Sequence, residues 1–102
     1  MIRARFYGSK GALSGFELSG HAGLAESGSD VACAAVSSAV QLTVNLLDEF
    51  GCSPEVEVGD NIIRCKAAEG DKPSRFLFRL KQHLEAVLEE YPDTINITIS
   101  EV

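Results

Sequence analysis

Residues 20–37, Gly20-His21-Ala22-Gly23-Leu24-Ala25-Glu26-Ser27-Gly28-Ser29-Asp30-Val31-Ala32-Cys33-Ala34-Ala35-Val36-Ser37, carry the chain from a strand-like run into a helix-like one. Upstream, Ile2, Ala4 and Phe6 alternate with Arg3, Arg5 and Tyr7. After a Gly8 to Gly11 turn, the run Leu13 to Gly20 sets Phe16 and Leu18 opposite Glu17 and Ser19. Alternation with period two on both sides of a glycine turn predicts a β-hairpin. Downstream, Val36, Val40, Val44 and Leu47 recur at three or four between Val31 and Phe50, flanked by Ala35, Ala39, Leu42 and Leu46. That spacing predicts a largely buried helix stopped by Gly51.

The same rules carry through the second half. Glu55 to Val58 and Ile62 to Ala67 alternate around Gly59-Asp60-Asn61, residues that tolerate positive φ, which predicts a second hairpin. Pro73 marks a helix start, and Phe76, Leu80, Leu84, Val87, Leu88 and Tyr91 form an apolar stripe that ends before Pro92, with Phe78 well off it. Ile95, Ile97 and Ile99 alternate with Thr94, Asn96, Thr98 and Ser100, the pattern of a strand with one buried face. The order is ββαββαβ. Two helices can cover only one face of five strands, and the other face carries Arg3, Arg5, Arg64, Lys66, Asn96 and Thr98. The expected architecture is therefore α+β, a two-layer sandwich of a five-stranded sheet with two helices on one face.

At 102 residues the chain is expected to be a single domain over 1–102, above the ~40 residues below which small folds need disulfides or metals. Hydrophobic content of 45% and charged content of 24% are globular values. No run approaches ~18 consecutive apolar residues, so no membrane association is expected. The Met1 to Phe6 segment has no apolar stretch followed by a small-residue cleavage site, so a cytoplasmic location is expected. Three cysteines, Cys33, Cys52 and Cys65, are odd in number and have no C-x-x-C spacing, which predicts reduced thiols. A net charge of −6 argues against direct nucleic-acid binding, which needs clustered Lys and Arg. It suits a basic protein partner instead.

His21 and Cys33 are the chemically notable pair. A thiol becomes a nucleophile as the thiolate, and a helix start favours the anion even before a base acts. If Ser29 or Asp30 caps the helix, Cys33 falls in its first turn, with His21 as base and unpaired amides available to an oxyanion. Asp30 has two readings, as the cap, which is favoured, or as a third member that orients His21. Ser37 lies one turn past Cys33 on the same face, near the site or merely bonded back to a helix carbonyl. Gly23 and Gly28 bracket a stretch too short and polar to pack alone, so residues 22–29 are expected to form a mobile loop. Singly, a cysteine at a helix start or a histidine after a strand is most often structural. Together they outline a candidate cysteine-hydrolase site.

Other site classes fit less well. Gly23 and Gly28 have phosphate-loop spacing, but Ser29-Asp30 puts an anion where a lysine must meet phosphate. His21 and Cys33 supply two metal ligands where zinc wants three, and Cys52, Cys65 and His83 lie in other elements, so neither metal nor cofactor is expected.

Gly20-His21-Ala22-Gly23, then Gly28-Ser29-Asp30, then Val31-Ala32-Cys33-Ala34-Ala35-Val36-Ser37 resembles the signature of the bacterial ribosomal-processing cysteine protease family, often called Prp. The resemblance extends to length and element order, with residues 20–37 its specific part. It implies a His21–Cys33 catalytic dyad, with Asp30 and Ser37 at further characteristic positions. Ala32 departs from the larger aliphatic residue that often precedes the cysteine. The resemblance also implies a homodimer with a mobile loop between His and Cys. Its implied activity is removal of an N-terminal extension from the precursor of large-subunit ribosomal protein L-twenty-seven, cutting after Phe-Phe and before Ala-Ser. The competing reading is a non-enzymatic ribosome-associated module that only grips a peptide.

Overall fold

The computed structural model describes residues 1–20 and 29–101, with Ser29 and Asp30 described by backbone alone. The elements run β1 (Ile2–Ser9), β2 (Ala12–Ser19), α1 (Ser29–Glu49), β3 (Glu55–Gly59), β4 (Ile62–Lys66), α2 (Asp71–Glu90) and β5 (Ile95–Glu101). This is the ββαββαβ order that the alternation predicts. The five strands form one mixed sheet in the order β3-β4-β2-β1-β5, with β1 and β5 parallel and the other neighbours antiparallel.

Local chemistry explains the joints. Lys10 and Gly11 both take positive φ (54° and 78°), which closes β1 and β2 with the tight mirror-image turn that matches strand twist. The register slips at Tyr7/Gly8. There the Leu13 amide donates to the buried Ser74 Oγ at 2.9 Å, which ties the first turn of α2 to the irregular part of β2. Helix α1 ends as a positive-φ glycine dictates. Gly51 sits at φ 75°, its amide donates to the Asp48 carbonyl, and the Cys52 amide donates to the Leu47 carbonyl. Helix α2 starts at Asp71, two residues before Pro73, and proline is tolerated there because first-turn amides have no intrahelical partner.

Ile2, Ala4 and Phe6 of β1, Phe16 and Leu18 of β2, Cys65 of β4 and Ile95 of β5 point into one core. They meet Ala32, Val36, Val40 and Leu47 of α1 and Leu77, Leu80 and Leu84 of α2. Phe6 and Phe16 face each other across β1 and β2 with ring centroids 6.2 Å apart. The opposite face carries charge. Arg64 Nε donates to Glu17 Oε2 at 2.9 Å, and Arg5 and Glu57 flank that pair at 3.6 and 3.8 Å. The register aligns Glu57, Arg64, Glu17 and Arg5 in one row across four strands. Opposite charges facing each other across strands favour this register.

Two expectations need correction. Helix α1 is not largely buried: Leu42 is 60% and Val31 52% exposed, because apolar residues circle the whole helix and the sheet covers only one side. By length and hydropathy, Val31–Glu49 is the one described helix apolar enough to cross a membrane, yet its Ala32, Val36, Val40 and Leu47 belong to the core. In α2 the buried line is Pro73, Ser74, Leu77, Leu80, Leu84 and Val87. The fully buried Leu77 replaces Phe76, which turns aside and packs against Phe50 with the rings tilted and their centroids 5.5 Å apart.

Ser74→Ala is expected to leave the buried Leu13 amide without its acceptor and to lower stability by about 1–3 kcal/mol. Chemical denaturation checks this, and an unchanged midpoint removes the tie from the account.

Candidate active site

Cys33 is the fifth residue of α1, which begins at Ser29. Ser29 and Asp30 are therefore the first two helical residues, and Cys33 lies one or two residues further in than the first-turn placement expected from sequence. The unpaired amides of a helix start belong to its first residues, so the Cys33 amide donates within the helix. The dipole's influence is likewise concentrated in the first turn. Any activation of the thiol thus rests more on a base than on the helix end. The Cα–Cβ bond still tilts toward the N-terminus, so the thiol leans toward those unpaired amides.

The half-buried Cys33 faces a cavity of about 350 Å³ between α1 and the β3–β4 side of the sheet. From α1 the lining is Cys33, Val36, Ser37, Val40 and Gln41. The facing wall includes Leu18, Val58, Asn61 and Ile63, and Ile2, Ser19 and Gly20 close one end. None of the described lining residues carries a charge, in a chain of which 24% is charged. Val58, 76% exposed on the edge strand β3, marks the open side.

Gly20 is held from two directions. Its amide donates to the Asn61 carbonyl at 3.2 Å, and its φ of 84° lies where glycine is favoured. A Cβ there would collide with the Met1 carbonyl oxygen. Asn61 has positive φ (65°) in the β3–β4 turn. The residue covalently preceding His21 therefore lines the same cavity as Cys33. His21, Gly23, Gly28 and the side chain of Asp30 lie outside the described residues, as does the expected loop except for its last residue, Ser29, which opens α1 instead. Ser37 shares the cavity with Cys33, as one-turn spacing suggests.

Gln41 and Asn61 were not singled out by sequence. Gln41 had a signal, since Cys33, Ser37 and Gln41 fall at i, i+4 and i+8 on one helix face. Asn61 had none, because its approach depends on how the second hairpin meets α1. The other thiols are placed for packing. Cys52 is 3% exposed and Cys65 0%, and burial pushes the Cys65 thiol up to about 11. Among the described residues, no group of three His, Cys, Asp or Glu side chains gathers for a metal ion.

A thiol opening from a helix onto an uncharged cleft is an arrangement suited to cysteine-dependent hydrolysis. A family model described as Cysteine protease Prp matches residues 1–96, and the chain belongs to that family. No curated protein matches. The fold is shared with solved structures of an essential ribosomal processing protease Prp from S. aureus. In complex with a substrate peptide that protein aligns at TM-score 0.86 and 20% identity, covering 98% of this chain and 100% of the other. In complex with a covalently linked product peptide it aligns at 0.82 and 22%, with the same coverage. The protein SMU.848 from Streptococcus mutans aligns at TM-score 0.79 and 28% identity, covering 100% of this chain and 96% of the other.

In the folded protein at neutral pH, iodoacetamide is expected to modify Cys33 well before Cys52 and Cys65, because only Cys33 is reachable from the cavity. Mass mapping of the adducts checks this. Equal rates for all three thiols contradict the placement.

Proposed function

We propose that this protein is a cysteine endopeptidase in which Cys33 is the nucleophile and His21 the base, acting on the N-terminal extension of a ribosomal protein precursor. The observation that carries this reading is the shared cavity: Cys33 opens onto it and Gly20, bonded to His21, lines it. In the proposed cycle His21 takes the Sγ proton and the thiolate attacks the scissile carbonyl carbon. As the tetrahedral intermediate collapses, the C–N bond breaks and His21 returns the proton to the leaving amine. Water then attacks the thioester, giving up a proton to His21, and the proton passes to Sγ as the thiol leaves. Unpaired amides at the start of α1 are suited to hold the oxyanion.

Asp30, the second residue of α1, is proposed to orient His21. Ser37 is proposed to support the site with its hydroxyl, one turn from Cys33 on the cleft wall. The substrate proposed is the precursor of large-subunit ribosomal protein L-twenty-seven, cut after Phe in a Phe-Phe-Ala-Ser-like sequence, in the cytoplasm. Support comes from the family and from the relative's complex with a substrate peptide. An uncharged cleft in a chain of net charge −6 suits a peptide with apolar residues at the cut and basic ones beyond it. A module that merely grips a peptide would need no thiol in the cleft.

The protein is further proposed to act as a homodimer of single cysteine protease domains, joined through the outer side of α1. There Ala35, Ala39, Leu42 and Leu46 meet Phe76 along a groove of about 480 Å³. No charged residue occurs from Val31 to Leu47, and the α2 side of the groove adds Arg79 and His83 but no carboxylate, so two acidic copies meet there without acidic groups facing each other. Phe78, whose place off the α2 stripe makes it the dimer contact expected from sequence, is only 37% exposed and makes a smaller patch with Ile99, so the outer side of α1 is proposed in its stead.

Cys33→Ala and His21→Ala are each expected to reduce cleavage of a Phe-Phe-Ala-Ser peptide by more than about a thousandfold with unchanged melting. Cleavage by Cys33→Ala ends the nucleophile assignment. Asp30→Asn is expected to lose turnover while keeping its melting temperature, and the reverse result restores a structural role. By mass in solution, the native chain and Phe78→Glu are expected to be dimers and Leu42→Glu a monomer. A native monomer removes the interface.

A further inference from the structure

Cys33, Ser37 and Gln41 stand at successive turns on the side of α1 that lines the cavity. Eight residues of helix separate Cys33 from Gln41, a rise of about 12 Å at 1.5 Å per residue. An extended peptide advances about 3.3 Å per residue, so the same distance spans three to four substrate residues. Gln41 is exposed, and the described cavity lining carries no charge. Solvent-facing helix positions more often hold Lys, Glu or Arg. Here the position holds a long uncharged amide with a donor and an acceptor side by side, the pairing an extended peptide backbone presents. Across the cleft, Val58, Gly59 and Asn61 of the β3–β4 hairpin supply the facing wall.

We infer that Gln41 is a substrate-binding residue that hydrogen-bonds the peptide main chain three to four residues from the scissile bond, making α1 a ruler for the bound segment. The inference rests on the proposed attack by Cys33, which sets the ruler's zero. The peptide thus lies along α1, between the helix and the hairpin, and contacts Gln41 through its backbone whatever its side chains are. Affinity then depends on the length of peptide on that side of the cut, whereas the chemical step at Cys33 does not require Gln41.

The test uses peptides centred on Phe-Phe-Ala-Ser and shortened one residue at a time from either end, with the native chain and Gln41→Met. The native protein is expected to lose about tenfold in kcat/KM when one of the two series drops below three or four residues, mostly through KM. Gln41→Met is expected to show that loss already with the longest peptide, to lack the length step and to melt as the native chain does. Binding of the same peptides to Cys33→Ala, with and without Gln41→Met, repeats the comparison without turnover. A length step in binding that Gln41→Met abolishes supports the ruler even where the nucleophile assignment fails. A step unchanged by Gln41→Met, or no step in cleavage and binding alike, overturns it.

Discussion

The pinning of Gly20 is the constraint on which the rest of the site depends. One residue closes β2, donates its amide to the β3–β4 turn at Asn61 and packs against the Met1 carbonyl at the start of β1. Only glycine meets both demands, a φ of 84° and no side chain toward Met1. Three chain segments therefore converge beside the mouth of the cavity that Cys33 enters from α1. The sheet supplies the fixed side of the cleft and the helix supplies the Cys33 thiol.

The two faces of the sheet share the work differently. The covered face is apolar and holds the helices, and α2 is locked to β2 by the Leu13 to Ser74 hydrogen bond. The open face gathers Arg3, Arg5, Arg64 and Lys66, but Glu17 and Glu57 alternate with Arg5 and Arg64 in the central row. Arg5 and Arg64 are matched in that row and Lys66 stands across from Glu55, so this face is of mixed sign rather than the single-sign surface that phosphate binding needs. Exposed pairs of this kind contribute little to stability, and their effect lies more in the register they favour.

Much of this was legible in the residues. Strict alternation in Ile2 to Tyr7 revealed which face of β1 is buried, and Gly51 revealed where α1 ends; in β5 the alternation held for Ile95 but not for Ile99, which is 54% exposed. The His21 and Cys33 pair pointed to the cysteine protease class, which the family match bears out. The exposed side of α1 was not legible, because Leu42 and Val36 are equally apolar and periodicity cannot say which side of a helix meets its own sheet. Leu77 was hidden for a related reason. Phe76 and Leu80 fit an i, i+4 stripe, and only the docking of Ser74 on Leu13 shows that the buried line runs through Leu77. The helix start at Ser29 rather than after Asp30 shifted Cys33 out of the first turn, a difference of one or two residues that propensity does not resolve. Asn61 belongs to the cleft through tertiary approach alone.

The central claim is that peptide cleavage proceeds through the Cys33 sulfur. A substrate-derived peptide carrying an electrophilic vinyl sulfone in place of the scissile carbonyl tests it directly, by mapping the adduct and following residual cleavage as labelling proceeds. The account predicts one adduct, on Cys33, with activity lost in proportion and labelling slowed by excess substrate peptide. Cleavage that persists with Cys33 fully modified, or inactivation that tracks an adduct on another residue, contradicts it.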